Sequence, residues 1–241
     1  YAGSAAPDCP GASRAGDDMS APGVLFPEAE MPLGPPIRVG MGRMLAGSNA
    51  KPRQGNDYYP TPPSVTAALL TREGQCIKQA LGDTAAPVWE PCAHGGAILR
   101  VLQQAGFATI GTDIIVDAEH DVAYADLLSV RRAPGRVVVT NFPFALAAAM
   151  IRHVWCDLQV NYLAGVFKSS FWHAAARTGL FRIARPARIY ALNWRPDFLG
   201  GGAPTMDVIW CVWQRGWALG TQYDVLTPTQ AGGFDFEGEG E

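Results

Sequence analysis

The sequence predicts an α/β protein with a mostly parallel, seven-stranded, doubly wound (Rossmann-like) sheet that ends in a C-terminal antiparallel hairpin. Two observations predict this fold. Short runs rich in β-branched and aromatic residues alternate with helical patterns, and the last two strand-like runs have no helical segment between them. The chain has 241 residues, 48% of them apolar, which suits one domain with additional segments.

The first half of the predicted fold contains two helices and three strands. A Thr-Pro-Pro start signal opens a helix at Thr61–Leu70. Val88–Glu90 reads as a brief strand, and Ala97–Gln104 follows it with apolar residues at helical spacing. Phe107–Ile115 and Arg136–Thr140 are apolar and rich in β-branched residues, so they are predicted to be the next two strands.

The second half begins with a segment, Leu146–Leu158, that is apolar nearly all round. This pattern is typical of a helix buried against a sheet. Further strands are predicted at Tyr162–Phe167, Ala187–Leu192 and Val208–Trp213. The last two are joined through a glycine loop, Gly200–Gly202, and we expect them to pair as an antiparallel hairpin.

Composition divides the chain into three parts. Residues 1–56 contain 8 Pro and 9 Gly with little hydrophobic periodicity, so we expect this segment to be disordered. Residues 57–224 form the predicted folded domain. Residues 225–241 carry four acidic side chains near the end of the chain and are predicted to be a flexible acidic tail.

Charge and hydropathy exclude several classes of protein. The net charge of −3 argues against a dedicated, strongly basic nucleic-acid binder. The longest purely apolar run, Phe144–Ile151, is far too short to span a bilayer, and no export signal opens the sequence. The five cysteines never occur in CxxC spacing, so a zinc site is not predicted. We therefore expect a cytoplasmic protein without membrane contact.

A glycine turn follows the first predicted strand. Residues 90–96 read Glu-Pro-Cys-Ala-His-Gly-Gly and lead directly into a helix, where backbone N–H groups can meet a ligand. Asp113 ends the next strand, the place where an acidic side chain can accept both hydroxyls of a ribose. The pair favours a nucleoside-containing cofactor, although a tight turn with a loop-capping Asp explains it equally well. The absence of GxGxxG weakens a dehydrogenase interpretation.

A second turn, Asn141–Phe144, lies between the Val-rich strand and the buried helix. The Asn side-chain carbonyl and the Phe142 carbonyl can accept the two hydrogens of a planar amine, while Phe144 stacks on its ring. Such acceptors make the nitrogen more nucleophilic, as methyl transfer from a sulfonium requires. The structural alternative is that Asn141 caps a helix and both Phe side chains belong to the core.

These segments together resemble the class I S-adenosylmethionine-dependent methyltransferases that methylate the amino group of adenine in DNA, as found in phages and prophages. The family's Asn-Pro-Pro-Tyr/Phe turn is matched by Asn141–Phe144, and its glycine motif by Gly95 and Gly96 after Glu90-Pro91. The family's upstream Tyr-x-Thr-Pro segment, which lines the methionine end of the cofactor, is matched at 59–62. The resemblance covers about residues 57–216, including an aromatic closing strand at 209–213.

The resemblance implies a function and a set of site residues. It implies S-adenosylmethionine as cofactor and methylation of the exocyclic N6 amine of adenine in DNA. The implied catalytic residues are Asn141, Phe142, Pro143 and Phe144. Asp113 is implied to bind the cofactor ribose and Asp126 to lie near its adenine. The implied cofactor-binding residues are Tyr59, Thr61, Pro62, Glu90, Pro91, Cys92, Gly95, Gly96, Asp113, Ile114, Asp126, Leu127 and Asn141.

Two positions depart from the family pattern and keep alternatives open. His94 stands where the first motif glycine is usual, and Phe142 replaces the first proline of the turn. A side chain at the first position can crowd the cofactor, and the second change removes rigidity. An inactive relative that binds nucleic acid or cofactor is therefore one alternative. A methyltransferase acting on RNA or on a protein amide is another.

A local basic stretch predicts a nucleic-acid surface. Residues 158–196 contain no Asp or Glu but carry six basic side chains interleaved with aromatic ones. The predicted nucleic-acid-binding residues are Lys168, Arg177, Arg182, Arg185 and Arg195. Several of these Arg could instead solvate a helix or pair with acids. We expect double-stranded DNA with a flipped target base. Since no sizeable recognition domain fits, we expect sequence reading to be modest, to come from a loop such as 196–206, or to need a protein partner.

Overall fold

The computed structural model of the protein describes residues 59–82, 85–202 and 204–229. Within them the strands are β1 (Val88–Glu90), β2 (Thr109–Asp113), β3 (Val122–Tyr124), β4 (Val137–Thr140), β5 (Tyr162–Lys168), β6 (Arg188–Leu192), β7 (Val208–Gln214) and β8 (Gln222–Leu226). The α-helices are α1 (Pro63–Leu81), α2 (Ala97–Gln104), α3 (Ala147–Arg152) and α4 (Thr178–Ile183).

One sheet contains all eight of these strands, in the order β3-β2-β1-β4-β5-β7-β6-β8. The first five are parallel, β7 is antiparallel to both β5 and β6, and β8 runs parallel to β6. The order 3-2-1-4-5 is that of a doubly wound sheet, which reverses direction between β1 and β4. The predicted fold class and the antiparallel pairing of β6 with β7 are confirmed.

The number of strands differs from the prediction, with eight in the described residues instead of seven. The sequence pattern missed both β3 and β8. Each of them buries a single residue, Val122 in β3 and Leu226 in β8, because they lie at the two edges of the sheet. An edge strand with one buried position has no apolar alternation to detect.

Several helix boundaries follow from local chemistry. α2 lies where the sequence placed it, and α1 begins with Pro63, a residue whose fixed φ suits the first helical position. The predicted helix opening at 61–70 is the first part of α1, which extends to Leu81 and stops at Gly82 with a φ of +71°. The predicted helix at 146–158 consists of α3 and a π-helical turn, His153–Asp157.

Side chains alternate between two hydrophobic clusters, one on each face of the sheet. Val88 belongs to the cluster under α1 and α2, whereas its neighbour Trp89 belongs to the cluster under α3. The same alternation separates Trp210 from Cys211 in β7. Because helices cover both faces, the central strands are buried throughout, as expected for a doubly wound sheet.

A buried charge cluster joins α1 to the sheet. Glu73 of α1 is 1% exposed and accepts hydrogen bonds from Arg188 Nε (2.5 Å) and Nη2 (2.8 Å). The phenols of Tyr162 (2.9 Å) and Tyr190 also donate to this carboxylate. Burial, and then the Glu73 charge, raise the pKa of Tyr162, so that its hydroxyl stays a donor. The carboxylate thus ties one helix to β5 and β6.

Two further contacts hold the same helix. The indole of Trp210 donates to the Val65 carbonyl at 3.0 Å, and Arg72 pairs with Asp224 of β8 at 2.5 Å. These contacts hold α1 at two places, in its first turn through Val65 and at its centre through the adjacent Arg72 and Glu73.

Some expectations concern parts of the chain beyond the described residues. The predicted disordered segment 1–56 lies outside them, as do residues 230–241 of the predicted tail. Val225 and Leu226, at the start of that predicted tail, are the last residues of β8. No helix within the described ranges is long and apolar enough to cross a membrane.

The Glu73 cluster generates a stability prediction. Glu73→Gln leaves the buried Arg188 guanidinium without its counter-charge, and we expect a loss of about 3–5 kcal/mol in the free energy of unfolding. Urea unfolding followed by circular dichroism measures this. The matched control is Asp207→Asn, which breaks the exposed Asp207–Arg195 pair and should cost no more than about 1 kcal/mol. Equal losses for both variants would contradict the prediction.

Candidate functional site

A cavity of about 400 Å³ opens at the carboxyl ends of the parallel strands. Residues that end or follow β1, β2 and β4 line it, so it lies beside the point where the strand order reverses. Ligands of doubly wound proteins bind at this position, and the volume is within the range of small-molecule sites. The segment that precedes α1 closes one side of the cavity with Tyr59, Pro60 and Thr61.

The structure brings most of the predicted site residues together around this cavity. Those that line it are Tyr59, Thr61, Glu90, Pro91, Cys92, Asp113, Ile114, Asp126, Leu127, Asn141, Phe142, Pro143 and Phe144. Pro62, Gly95 and Gly96 are not among the lining residues.

Sequence reasoning missed several lining residues. They are Pro60, Ala97, Ile115, Ala125, Leu128, Leu146 and Met150. His94, which the sequence marked as a side chain that can crowd the cofactor, also lines the cavity. Most of the missed residues are apolar neighbours of residues that the motifs marked, and their only sequence signal is that adjacency. Met150 is different, because α3 carries it to the cavity one helical turn beyond Leu146.

The glycine turn is built around a neighbouring loop. Gly96 has a φ of +58°, and a Cβ there would lie 2.9 Å from the Cβ of His120. The backbone N–H of Gly95 donates to Asp117 Oδ2 at 3.0 Å, and His120 Nδ1 lies 2.8 Å from the same oxygen. The hydrogen bond from His120 holds the pKa of Asp117 below its ordinary value. Glycine is therefore required at position 96 because the side chain of His120 approaches its backbone closely.

His94 belongs to the same cluster and to the cavity wall. Its Nδ1 lies 3.8 Å from Asp117 Oδ2, and its backbone N–H donates to Asp113 Oδ2 at 3.2 Å. The imidazole is about one third exposed. A cavity of about 400 Å³ remains beside it, so the side chain at this position lines the pocket without filling it.

Two of the three acidic residues that line the cavity, Asp113 and Asp126, make local hydrogen bonds. Asp113 accepts from the N–H groups of His94 and Ile115, at 3.2 and 3.0 Å. Asp126 accepts from the N–H of Leu128 at 3.1 Å and from the hydroxyl of Ser129 at 2.8 Å. Both carboxylates therefore stabilise the turns that carry them. Each oxygen has a further lone pair, so both side chains can still accept from a ligand.

Burial controls the charge on the β1 side of the cavity. Glu90 is 3% exposed, and its Oε2 accepts from the N–H of Leu99 at 3.1 Å. Burial raises the pKa of Glu90 well above its ordinary value, and the nearby Asp113 carboxylate raises it further. Burial likewise raises the pKa of the Cys92 thiol, so this cysteine remains a neutral wall residue instead of a nucleophile.

The Asn141 side chain faces the segment that precedes α1. Its Nδ2 donates to the Tyr59 carbonyl at 3.3 Å and to Thr61 Oγ1 at 3.2 Å. Asn141 itself lines the cavity and is partly buried. The interpretation of Asn141 as a helix cap does not apply, because the residue before α3 is Leu146 and no side chain caps this helix.

The two Phe residues of the turn have different environments. Phe142 is 1% exposed, packs into the cluster under α3, and has its ring centroid 6.2 Å from that of Phe167. Phe144 is partly exposed at the cavity, 6.3 Å from the ring of Tyr59 at an interplanar angle of 24°. The Lys168 ammonium lies 4.7 Å from the Phe144 ring centroid. Of the two Phe residues in the turn, Phe144 is therefore the one whose ring is accessible to a ligand.

Some basic residues of the stretch 158–196 are engaged by contacts within the protein, and others are exposed. Arg188, which belongs to the stretch, is buried against Glu73, and Arg195 pairs with Asp207 at 2.7 Å. Arg177 donates to the Phe171 carbonyl at 2.6 Å and lies over that ring. Arg182 and Arg185 are exposed, and Lys168 lies at the cavity rim beside Phe144. In the described ranges, no group of three or more potential ligand side chains is placed to hold a metal ion.

The fold and the cavity define a doubly wound α/β protein with a cavity at the reversal of strand order. No protein-family model matches the sequence, and no curated protein matches it. Among solved structures, the chain is similar to the M protein of the type I restriction enzyme EcoKI, with a TM-score of 0.48 and 13% identity over 69% of this chain and 48% of that one.

Two further solved structures have a similar fold. One is a Listeria monocytogenes protein assigned to the class I S-adenosylmethionine-dependent methyltransferases, with a TM-score of 0.46 and 11% identity over 68% of this chain and 65% of that one. The other is a Plasmodium falciparum dimethyladenosine transferase, with a TM-score of 0.45 and 12% identity over 64% and 62%. The chain spans about half of the EcoKI protein and under two thirds of the other two. At these values the likeness concerns the fold and carries no activity over to this chain.

The raised pKa of Glu90 generates a prediction about pH. Folding favours the protonated carboxyl, so this residue's contribution to stability is present below about pH 4.5 and is lost as the pH rises through its raised pKa. Glu90→Gln removes the charge, and its amide carbonyl can still accept from Leu99. We expect the melting temperature of the variant, relative to wild type, to rise steadily between pH 5 and pH 8. Scanning calorimetry measures this difference.

The matched control is Glu119→Gln, which changes an exposed carboxylate. Its melting temperature relative to wild type should not depend on pH in this range, since surface substitutions rarely alter stability by more than about 0.5 kcal/mol. A pH-independent difference for Glu90→Gln would contradict the assignment of a buried, protonated carboxyl at position 90.

Proposed function

We propose that the cavity binds S-adenosylmethionine and that the protein transfers its methyl group to the exocyclic N6 amine of adenine in DNA. The observation that carries this proposal is the convergence of two kinds of residue on one cavity. Asp113 and Asp126 offer carboxylate acceptors on the β2 side, and Asn141 and Phe144 offer an amide and an aromatic ring on the β4 side.

The residues on the β2 side suit the cofactor. Asp113 ends β2, where it can accept the hydroxyls of a ribose, and Asp126 begins the next turn, where it can accept from an adenine amine. The apolar side chains of Ile114 and Leu127, which follow Asp113 and Asp126 in the sequence, also line the cavity and can cover the faces of a purine. When bound, the cofactor supplies an electrophilic methyl group on a sulfonium.

The residues on the β4 side suit the amine that receives the methyl group. The Asn141 Oδ1 accepts an amine hydrogen, and Phe144 stacks on the ring of the base. Both hold the nitrogen lone pair out of conjugation and toward the methyl group. The nitrogen forms the new bond as the sulfur–carbon bond breaks, and the extra proton leaves to water afterwards. No general base is needed, because the methylated ammonium is strongly acidic.

A DNA duplex hides this amine in its base stack, so the proposal includes base flipping into the cavity. Phe144 replaces the stacking that the flipped base loses. Lys168 at the rim, with the exposed Arg182 and Arg185, can neutralise phosphates beside it. Since the described residues contain no separate recognition domain, we also propose that a protein partner supplies sequence recognition.

Substitution of the amide tests the catalytic proposal. We expect Asn141→Ala to lose at least about 100-fold in methyl incorporation into DNA, because the acceptor that orients the amine is removed. Calorimetry should show that the variant still binds S-adenosylmethionine, with an affinity within a few fold of wild type. The matched control is Asn161→Ala, which removes an amide at the start of β5, far from the turn.

The substrate class is decided in the same assay by measuring methyl incorporation separately into DNA, RNA and protein. Incorporation into RNA or protein alone would move the reaction to another acceptor amine. Unchanged activity in Asn141→Ala would overturn the proposed site. Absence of cofactor binding by the wild-type protein at millimolar concentration would overturn the enzyme proposal and favour a non-catalytic relative.

The basic rim generates a prediction about salt. Replacing Lys168, Arg182 and Arg185 with Gln removes up to three phosphate contacts, so the slope of log K for duplex binding against log salt should fall by about 0.9 per lost contact. Fluorescence anisotropy across a salt series measures this slope. Arg132→Gln, an exposed residue outside the basic stretch, is the control and should leave it unchanged. An unchanged slope in the triple variant would mean that DNA binds elsewhere.

A further inference from the structure

Hydrogen bonds fix which end of the Asn141 amide remains available to a ligand. Nδ2 of this residue donates to the backbone carbonyl of Tyr59 at 3.3 Å and to the hydroxyl oxygen of Thr61 at 3.2 Å. A backbone carbonyl can only accept, so the group that faces it must be the amide nitrogen. The orientation of the amide therefore follows from the chemistry of its neighbours.

The other end of the amide is open. No described residue donates a hydrogen bond to Oδ1 of Asn141, and this oxygen is not among the buried side-chain atoms without a partner. Since Asn141 lines the cavity, Oδ1 is the group that it presents there. The two N–H groups of the side chain are already engaged, so at this point the cavity offers a ligand an acceptor and no donor.

The Thr61 hydroxyl accepts a hydrogen bond from the Asn141 amide and does not cap the helix that follows. Thr61 is 3% exposed and precedes α1, where a threonine side chain commonly caps a helix. Here the N-cap is Pro62, no side chain caps α1, and the Val65 N–H bonds to the Pro62 carbonyl at 2.9 Å. The hydroxyl is thereby left to accept from Asn141.

We propose that Thr61 is a positioning residue that makes the site select an amine over an isosteric carbonyl. This inference rests on the proposed function and names the feature of the base that the site reads. With the amide held, Oδ1 accepts a hydrogen bond from a substrate –NH₂ group. A substrate C=O group at the same position would place a second acceptor against Oδ1, and the two oxygens would repel each other. Without Thr61 the amide keeps only its hydrogen bond to the Tyr59 carbonyl, so turning its nitrogen toward a substrate carbonyl costs less. Adenine is favoured over hypoxanthine for this reason.

The test compares competition by single-stranded oligo-dA and oligo-dI in the DNA methylation assay of the full chain. We expect wild type to be inhibited more strongly by oligo-dA. Thr61→Val, which keeps the shape and removes the hydroxyl, should reduce the ratio of the two inhibition constants by about 2- to 10-fold, the range of one net hydrogen bond. Thr61→Ser restores the hydroxyl and should restore the ratio.

The matched control is Thr66→Val, since Thr66 is fully buried in α1 and its hydroxyl has no partner among the described residues. It should leave the ratio unchanged, and melting temperatures confirm that each variant is folded. An unaltered ratio in Thr61→Val, in a wild type that methylates DNA, overturns the inference and leaves the proposed function intact. Weaker cofactor binding without a change in ratio also overturns it. Failure of wild type to methylate DNA overturns the proposed function itself.

Discussion

The buried contact between Glu73 and Arg188 is the constraint on which the candidate site depends. It holds α1 to β5 and β6 at the middle of the helix, where the neighbouring Arg72 also pairs with Asp224, and Trp210 holds the first turn through the Val65 carbonyl. A helix fixed in this way sends the preceding residues along one path, across the tips of the parallel strands. That path brings the Tyr59 carbonyl and the Thr61 hydroxyl to the Asn141 amide. A contact on one face of the sheet thus supports the helix whose preceding segment orients a polar group at the strand tips.

Most polar groups at the cavity also have local structural partners. Asp113 and Asp126 each accept from the backbone of the turn that carries them, and Asp117 holds the glycine turn through Gly95. A ligand therefore meets carboxylates already oriented by the protein, which lowers the ordering cost of binding. Because Glu90 is buried and its pKa is raised, the floor of the cavity on the β1 side carries little charge. Polar recognition is left to the residues at the strand tips.

The fold could be predicted where burial is complete and could not where burial is partial. α2 lies where its apolar spacing placed it, because Ile98, Leu99, Val101 and Leu102 are all buried. β3 and β8 were not predicted, because each of these edge strands buries one residue and therefore shows no alternation of apolar and polar residues in the sequence. The partners of Glu73 were also invisible, because they come from strands more than 80 residues away along the chain.

By itself the sequence determined the class of the fold, the order of the motifs and which chemical groups come to the strand tips, because local propensity and hydrophobic period set these features. The tertiary structure alone decided their roles. Gly96 makes room for His120, Phe142 packs into the core, and Phe144 remains at the cavity. Burial and hydrogen-bond partners are supplied by residues distant in sequence. No reading of a motif could therefore tell which of two neighbouring phenylalanines faces a ligand, or which end of an amide does.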